Sequence, residues 1–338
     1  MAGRPDVGYV GMRGWAGIGL ALLPRMARPL RYVTPGQVVE VTIRTIQSRL
    51  LLRPSAELNA AILAVLGRAL AHHDVVLHGF AVMSNHAHFL LSVADGRALA
   101  SFMRFVNGNI SKAVGRIYDW RGPMWSRRYR SIPVVDEVSQ VSRLRYILAQ
   151  GCKEGLVASP LAWPGLHCAR ALLGRETLAG TWLDRSGLYH AQRDRGTEVD
   201  VSEFQTSYPV ELAPLPCWSS LPDAEWRVRC AAMVREIEEE THREDATRGR
   251  SSCRAAQVLA QHPHAQPRRS DRSPASLVHA ATQRARAAFR TLYQTFVDAF
   301  RAAAERVRQG ETAVAFPRYA FPPAAPFVDG ARRVLAST

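Results

Sequence analysis

Alternating and helical patterns of apolar residues divide the first half of the chain into seven elements. Four runs alternate apolar and polar side chains or are rich in β-branched residues, which predicts strands at 38–47, 74–83, 86–93 and 128–135. Three segments place apolar residues three and four positions apart, which predicts helices at 55–73, 97–117 and 139–157, the last ending near Gly151. The resulting order, β-α-β-β-α-β-α, is that of a ferredoxin-like split unit with one additional helix.

The periodicity weakens in the second half of the chain. Residues 167–222 contain many turn-forming residues and no sustained repeat, so we expect a linker or an irregular extension there. Helical spacing returns in 224–245 and 274–309, which predicts two long helices. The second helix is expected to begin behind Ser273, a natural N-cap, with Pro274 at its first position. Its aromatic stripe predicts a face that packs on the core or on another helix.

The charge of the chain indicates the chemistry of a partner. The 338 residues carry a formal net charge of +15, and the excess is concentrated in residues 1–165, which hold 20 basic and 9 acidic residues. Lys and Arg that neutralise phosphates supply much of the affinity of nucleic-acid-binding proteins, so the sequence favours a polyanionic partner. Of the 44 basic residues, 42 are Arg, which codon bias in a GC-rich genome explains as well as selection for the guanidinium does.

The cysteines and the apolar runs predict a cytoplasmic protein. The five cysteines are scattered and form no CxxC pair, which argues against a disulfide framework or a zinc ribbon. No apolar run reaches the roughly 18–20 residues that would span a bilayer. The apolar stretch 15–24 lacks a small-residue cleavage site and is followed at once by basic residues, so we reject a signal peptide.

Two histidines, His86 and His88, lie in the apolar run of the third predicted strand. Because successive strand residues point to opposite faces, both imidazoles project from one face, while Ala87 and Phe89 point to the core. The pair suits two ligands of one metal ion, or one acid and one base. An isolated His-x-His is more often two ordinary histidines on an exposed face. The same spacing recurs at 262–264, where a central proline prevents a regular strand.

The last predicted helix of the first half supplies a candidate nucleophile. Tyr146 and Gln150 are four residues apart and therefore share a helix face, next to Arg143 and Arg145. A tyrosine hydroxyl beside a carboxamide oxygen can place a nucleophile next to a metal ligand. A tyrosine at the edge of the core is the ordinary alternative, and the helix alone does not decide between them.

Together, these motifs resemble those of the HUH-superfamily single-tyrosine transposases, especially the REP-associated tyrosine transposase branch of the IS200-like insertion-sequence enzymes. The resemblance covers residues 26–166 and is carried by four stretches in order: MARPLRYVTPGQVVEVTIRT, VMSNHAHFLLS, PMWSRRYRS and RYILAQGCKEGLVASPLAWP. Since the first stretch looks like the start of that family, residues 1–25 are expected to be an extension outside the catalytic fold.

The resemblance implies a site and a reaction. In that family, paired histidines hold a divalent metal ion, a tyrosine attacks DNA, and a polar side chain four residues later completes the metal site. These roles carry over to His86, His88, Tyr146 and Gln150, with a 5′-phosphotyrosine intermediate on single-stranded DNA. Residues 150–153 read Gln-Gly-Cys-Lys where many relatives read Asn-Pro-Val-Lys, and glutamine remains a competent oxygen ligand.

The chemistry of the predicted nucleophile also requires a cation. A tyrosine hydroxyl has a pKa of about 10 and attacks poorly at neutral pH, while a divalent cation draws charge from the scissile phosphate. Two imidazoles and an amide oxygen suit Mg²⁺ or Mn²⁺, with Mn²⁺ the better match for nitrogen ligands. Because transesterification conserves the energy of the phosphodiester bond, we expect no nucleotide cofactor, and the sequence has no Walker motif.

Basic residues around the tyrosine helix are predicted to line a path for DNA. These residues are Lys112, Arg127, Arg128, Arg130 and Arg145. A solvated basic face explains any single one of them equally well. The expected partner is DNA, single-stranded with hairpin or repeat structure, met in the cytoplasm at the nucleoid and not at a membrane. Monomer and homodimer both stay open.

The predicted fold class is α+β: a ferredoxin-like HUH domain, with helices on one side of an antiparallel sheet, followed by a mostly helical extension. Its parts are a non-core extension (1–25), the catalytic domain (26–166), a linker or irregular extension (167–222), a helical module (223–310) and a proline-rich tail (311–338).

The predicted function is a DNA transposase that cuts and rejoins single strands, acting as a nicking endonuclease and strand transferase. The alternative is a domesticated protein that binds a hairpin or repeat and no longer cuts. A histidine-triad hydrolase is excluded because position 90 is leucine, and a carboxylate-metal nuclease lacks grouped acidic residues.

Overall fold

The computed structural model describes residues 29–195, 198–249, 255–267 and 276–321. The central sheet contains four strands: β1 (Gln37–Arg44), β2 (Val75–Met83), β3 (His86–Val93) and β4 (Arg130–Val134). Three helices follow β1, β3 and β4, respectively: α1 (Ala56–His72), α2 (Gly96–Ile117) and α3 (Glu137–Leu148).

The topology of the sheet is ferredoxin-like. The strand order is β2-β3-β1-β4, and all neighbours are antiparallel. The predicted fold class and the seven elements are therefore confirmed, with their ends displaced. The helix α3 ends at Leu148, a little before its predicted end. After it, the Gln150 N–H donates to the Ile147 carbonyl in a tight turn, and Gly151 takes a left-handed conformation with φ of 88° that a helix cannot continue.

Each of the three helices begins at a side-chain cap. Ser55, Asp95 and Asp136 each accept a hydrogen bond from the backbone N–H three residues later, at 2.7–3.2 Å. Such a bond satisfies one of the N–H groups that the first turn leaves without a partner, and each cap contributes about 1 kcal/mol to stability. The caps therefore fix where the chain leaves the sheet and enters each helix.

Helices lie on both faces of the sheet, and the expectation of one side only was wrong. The helices α1 and α2 pack together, and Met103 of α2 lines a cavity with Ile43 of β1. The helix α3 lies on the opposite face, where Leu144 packs so closely over Gly79 that an added Cβ would come within 2.8 Å of it. His88 projects from the same face of the sheet as Gly79, on which α3 packs. Ile43 projects from the opposite face, because it neighbours Thr42, the cross-strand partner of His88.

The described residues of 167–222 form short helices and strands that pack on the catalytic fold, so this segment is an extension and the alternative of a linker was wrong. After α4 (Ala169–Leu172), strands β5 (Ala179–Leu183) and β6 (Gln205–Pro209) form a two-stranded antiparallel sheet, with α5 (Arg185–Arg195) between them. The β5–β6 sheet packs on α1 at Gly180, where an added Cβ would lie 2.1 Å from the Ala64 nitrogen. Two strands of five residues are too short to produce a recognisable period, which is why the pattern missed them.

The remaining helices are α6 (Asp223–Arg248), α7 (Ala255–Ala260) and α8 (Gln283–Arg308). The prediction of α6 is confirmed within a few residues. The helix α8 begins at Gln283, where the Thr282 side chain accepts a hydrogen bond from the Ala285 N–H at 3.1 Å. Residues 276–281 are not helical because their backbone bonds to the sheet instead. The predicted cap at Ser273 and Pro274 lies outside the described residues.

The C-terminal half covers both edges of the central sheet. At the β2 edge, the Ala213 N–H donates to the Leu77 carbonyl at 2.9 Å, next to the Cys168 N–H, which donates to the Phe80 carbonyl at 3.0 Å. At the other edge, the His279 N–H donates to the Pro133 carbonyl at 2.8 Å, and the Val135 N–H donates to the His279 carbonyl at 3.1 Å. From Arg31 onward, the described residues form one compact unit, and within them the packing shows no break at the predicted domain boundary after 166.

The aromatic stripe of α8 packs on Tyr32, as its helical spacing predicts. The Tyr32 ring centroid lies 4.8 Å from that of Phe296 and 6.1 Å from that of Phe289. The first part of the predicted proline-rich tail joins this cluster, because Phe316 lies 5.2 Å from Phe300 between ring centroids. The rest of that tail, from residue 322, lies outside the described residues.

The predicted N-terminal extension, residues 1–25, also lies outside the described residues. Among the helices that the structure does describe, none combines the length and the apolar character needed to cross a membrane.

Candidate active site

The strand β3 and the end of α3 bring four of the predicted residues together. His86 and His88 project from one face of β3, with ring centroids 5.1 Å apart. Tyr146 lies in the last turn of α3, and its ring centroid is 5.6 Å from that of His88. Gln150 follows the helix, and its Oε1 lies 3.3 Å from His86 Nε2. The pairings that the sequence suggested therefore converge on one site.

Two backbone carbonyls fix the amides on either side of His86. Asn85 Nδ2 donates to the Ser48 carbonyl at 3.2 Å, which turns Asn85 Oδ1 toward His86 Nδ1 at 2.7 Å. Gln150 Nε2 donates to the Tyr146 carbonyl at 3.2 Å, which turns Gln150 Oε1 toward His86 Nε2. Both ring nitrogens of His86 therefore face oxygens that accept hydrogen bonds.

A neutral imidazole cannot donate to both of these oxygens. Burial, followed by the charges of His88 and Arg44, lowers the pKa of His86 to about 3, although the contact with Gln150 opposes this. At neutral pH the ring carries one N–H, and the shorter contact places it at Nδ1, toward Asn85. The lone pairs of His86 Nε2 and Gln150 Oε1 then face each other, and a shared cation would stabilise them.

His88 is oriented in the same way from the neighbouring strand. Its Nδ1 lies 3.1 Å from Glu40 Oε1 and 3.2 Å from Thr42 Oγ1. Thr42 is the direct cross-strand partner of His88 in the β1–β3 pair. Donation from Nδ1 to the Glu40 carboxylate leaves the lone pair on Nε2, as in many metal-binding histidines whose other nitrogen donates to a carboxylate. In both histidines, therefore, Nε2 carries the lone pair that a metal ion could bind.

Glu40 is a functional candidate that the sequence reasoning missed. It is only 2% exposed, yet Arg143 Nε lies 2.8 Å from its Oε2, and Arg143 Nη2 donates to its Oε1 at 3.1 Å. His279 Nε2 approaches Oε2 at 2.8 Å. Burial alone would raise the pKa of Glu40, but the contacts with His279 and His88 and the charge of Arg143 hold it well below its usual range. The carboxylate is therefore ionised beneath the two histidines.

Two cations lie near the ring of Tyr146. The guanidinium carbon of Arg143 is 3.9 Å from the ring centroid, and the ammonium nitrogen of Lys153 is 4.7 Å from it. A positive charge this close stabilises negative charge that develops on the phenol oxygen. Lys153 is a second residue that sequence reasoning passed over, although it follows Gln150 by only three positions.

The predicted DNA-binding residues lie on different parts of the surface. Arg130 is the cross-strand partner of Thr42 in the β1–β4 pair, so it projects from the same face as His88. Arg127 and Arg128 lie with Ile43 around a cavity of about 280 Å³ on the α2 side of the sheet. The basic residues that line this cavity are Arg31, Arg104, Arg127 and Arg128.

The remaining two basic residues are not brought to the site. Lys112 is exposed on α2, which packs on the face opposite His88. Arg145 pairs with α6, at 2.6 Å from Glu240 and 3.7 Å from Glu236. Their predicted role as a DNA path therefore has weaker geometric support than that of Arg130.

In the part of the chain that the structure describes, no three His, Cys, Asp or Glu side chains form a cluster that could hold a metal ion. The groups that could hold a metal ion at this site are the two imidazoles and the Gln150 oxygen. The facing lone pairs of His86 and Gln150 fit that use.

One family model matches the part of the chain that contains the clustered residues. Residues 41–150 match the family model described as "Transposase IS200 like". This segment is an IS200-like transposase domain. It spans about a third of the 338 residues and contains His86, His88, Tyr146 and Gln150. Glu40 and His279 lie outside the matched segment of the transposase domain.

Two solved structures resemble parts of this chain. One is a REP-associated tyrosine transposase bound to a REP hairpin, with 19% identity, coverage of 44% of this chain and 87% of the other, and a TM-score of 0.37. The other is a candidate transposase from Deinococcus radiodurans R1, with 18% identity, coverage of 36% and 95%, and a TM-score of 0.26. No curated protein is significantly similar to the chain.

Proposed function

We propose that the chain cuts and rejoins single-stranded DNA, with Tyr146 as the nucleophile and with His86, His88 and Gln150 as ligands of a divalent metal ion. The observation that carries this proposal is the convergence of His86 Nε2 and Gln150 Oε1, 3.3 Å apart, beside Tyr146. With the His86 proton on Nδ1, toward Asn85, these two atoms are acceptors that face each other, and a protein that only bound DNA would gain nothing from burying them.

The ligand set favours Mn²⁺ or Mg²⁺. Two imidazole nitrogens and one amide oxygen leave coordination positions for phosphate oxygens and water, and nitrogen ligands favour Mn²⁺ over Mg²⁺. When bound, such an ion supplies electrophilic stabilisation of charge on the scissile phosphate. Asn85 and Glu40 hold the two rings with Nδ1 protonated, so that Nε2 is the ligand atom of each.

In the proposed reaction Tyr146 attacks one phosphodiester of the strand. The bond between its phenol oxygen and phosphorus forms while the bond from phosphorus to the 3′ oxygen breaks. The phenol proton passes to water, and the departing oxygen takes a proton from water and becomes a 3′ hydroxyl. Arg143 and Lys153, whose charges lie near the Tyr146 ring, would stabilise the charge that develops there during attack. Attack by a 3′ hydroxyl on the phosphotyrosine reverses these changes and rejoins DNA, so no nucleotide cofactor is consumed. The 5′ polarity of the adduct rests on the family resemblance alone.

A nicking assay tests this proposal. Single strands with and without a hairpin, labelled at either end, are incubated with the full chain in Mn²⁺ or in chelator and run on a denaturing gel. We expect a slow-migrating adduct that retains the label of the 3′ fragment and appears only with metal. DNA binding without any cleavage or adduct, in Mn²⁺ and in Mg²⁺, would instead support the domesticated binding protein. We also predict a preference for strands that contain a hairpin and a location at the nucleoid in the cytoplasm. The sequence allows both a monomer and a homodimer.

Arg130 is expected to contact the DNA backbone next to the site. Replacing Arg127, Arg128 and Arg130 together by glutamine should lower the slope of log affinity against log salt by up to about two, at roughly 0.7 per phosphate contact on single strands. Arg130→Gln alone should account for one contact, because only this residue shares the face of His88.

Arg145→Gln provides the matched control for these substitutions. Arg145 is already paired with Glu240, so its loss should leave the salt slope nearly unchanged. A slope equal to that of the wild type in the triple variant would remove all three arginines from the interface.

A further inference from the structure

A buried carboxylate links the C-terminal half of the chain to the candidate metal site. Glu40 receives His88 Nδ1 at its Oε1, and Arg143 spans both of its oxygens. The second oxygen also meets His279 Nε2 at 2.8 Å. His279 follows the predicted catalytic domain by more than a hundred residues, so among the described residues it brings to Glu40 a contact from outside that domain.

The orientation of Glu40 determines which nitrogen of His88 is free. A carboxylate that accepts the Nδ1 proton fixes the tautomer and the rotation of a histidine ligand, and the loss of such a partner weakens metal binding. Glu40 can hold His88 only while its own carboxyl group is held. Arg143 approaches from α3, while His279 approaches from the edge of β4, so two separate elements restrain the same group.

The backbone holds His279 in place independently of its side chain. Its N–H donates to the Pro133 carbonyl, and its carbonyl accepts from the Val135 N–H, which fastens this residue to β4 on both sides. Its side chain is 16% exposed and reaches under the sheet edge to Glu40. A substitution at this position therefore removes the side-chain contact while the edge pairing remains.

We infer that His279 is a positioning residue of the metal site, acting through Glu40 on His88. The inference rests on the proposed role of His88 as a metal ligand. It gives the C-terminal half a role in supporting the proposed metal site. It also means that a fragment ending at residue 166 would contain the four clustered residues but lack one of the contacts that orient them.

The test compares two variants of the full chain that match His279 in size. H279Q keeps an N–H donor for Glu40, whereas H279M fills similar space without one. Mn²⁺ binding is measured without DNA by the loss of the free-ion electron paramagnetic resonance signal, at a temperature where circular dichroism shows both variants folded. We expect H279M to bind Mn²⁺ about tenfold more weakly than the wild type. This is the lower end of the loss of metal affinity, about 10- to 100-fold, that follows removal of a residue supporting a metal ligand. H279Q should stay within about threefold, below that range.

H264A is the matched control. His264 also belongs to the C-terminal half and also docks on the catalytic domain, with its Nε2 2.8 Å from the Tyr118 carbonyl, but it does not touch Glu40. It should bind Mn²⁺ like the wild type. In the nicking assay, H279M should need more Mn²⁺ for half-maximal adduct, by the same factor, and recover wild-type yield at saturation. A merely structural role would lower the yield at all Mn²⁺ concentrations.

The outcomes separate this inference from the proposed function. Equal Mn²⁺ affinity of H279M and the wild type would overturn the inference, even if the wild type cleaves DNA. A wild type that binds Mn²⁺ but never forms an adduct would overturn the proposed function, while the comparison of H279M with H279Q would still decide the role of His279. A wild type that binds no Mn²⁺ would overturn both.

Discussion

Replacing Tyr146 by phenylalanine is expected to abolish the covalent DNA adduct while leaving DNA binding within a factor of about two. The substitution removes one hydroxyl group and keeps the ring, so the contacts of that ring with His88, Arg143 and Lys153 remain. Loss of a nucleophile typically costs several orders of magnitude in rate, here at least about 1,000-fold. The measurement is the denaturing gel with end-labelled strands, together with a binding titration on the same strands.

Tyr189→Phe is the control for this substitution. Tyr189 is 64% exposed on α5 and lies outside the transposase domain, so its hydroxyl should not matter for cleavage. An adduct formed by the Tyr146→Phe variant at the wild-type rate would exclude Tyr146 as the nucleophile. Loss of DNA binding in that variant would instead show that the hydroxyl serves recognition.

The sequence could place the four clustered residues in two pairs because the relations within each pair are local, and the family resemblance then joined the pairs in one site. His86 and His88 share a face through the two-residue period of a strand, and the separation of Tyr146 and Gln150 is about one helical turn. The structure keeps the second relation even though α3 ends before Gln150, because the Gln150 side chain bonds back to the Tyr146 carbonyl. Local periodicity therefore placed each pair, and the order of the elements placed the pairs in one fold.

The residues that hold this cluster in place depend on non-local pairing. Glu40 contacts His88 because β1 pairs with β3 in the register that sets Thr42 against His88, and periodicity within one strand contains no information about register. The only sequence signal was a single acid within a run of β-branched residues. His279 lies still further from the site along the chain, in a segment whose apolar spacing looks helical and which bonds to a sheet edge instead.

The dispersal of the predicted DNA-binding residues has the same origin. Lys112 and Arg145 were grouped with the site by their nearness in sequence to the tyrosine helix and to the strand before it. The sheet lies between Lys112 and the histidines, and the acids of α6 pair with Arg145. Both facts depend on packing between distant segments. Arg130 is different, because one register of the β1–β4 pair is enough to place it beside Thr42.

Removing either histidine is expected to have the largest effect on metal binding. His86→Ala and His88→Ala should each weaken Mn²⁺ binding by at least about 100-fold, beyond the range that loss of an outer partner produces. Adduct formation should fall below detection in both. Glu40 keeps Arg143 and His279 as partners when His88 is removed, so its charge stays compensated and the variant should melt close to the wild type.

Gln150→Ala should weaken Mn²⁺ binding less than either histidine substitution does. Water can replace one oxygen ligand, but it cannot replace an imidazole that another residue holds in the orientation for binding. This variant also loses the hydrogen bond from Gln150 Nε2 to the Tyr146 carbonyl at a buried position, so it should melt somewhat below the wild type in chelator. In Mn²⁺ the difference in melting temperature should be larger, because the wild type gains more stability from the bound ion than the variant does. An ordinary hydrogen bond between His86 and Gln150 would lower the melting temperature equally in chelator and in Mn²⁺. The measurement is thermal unfolding by circular dichroism with Mn²⁺ and with chelator, beside the same Mn²⁺ titration. A Gln150→Ala variant that is destabilised equally in both conditions and binds Mn²⁺ like the wild type would contradict a metal site at these three side chains.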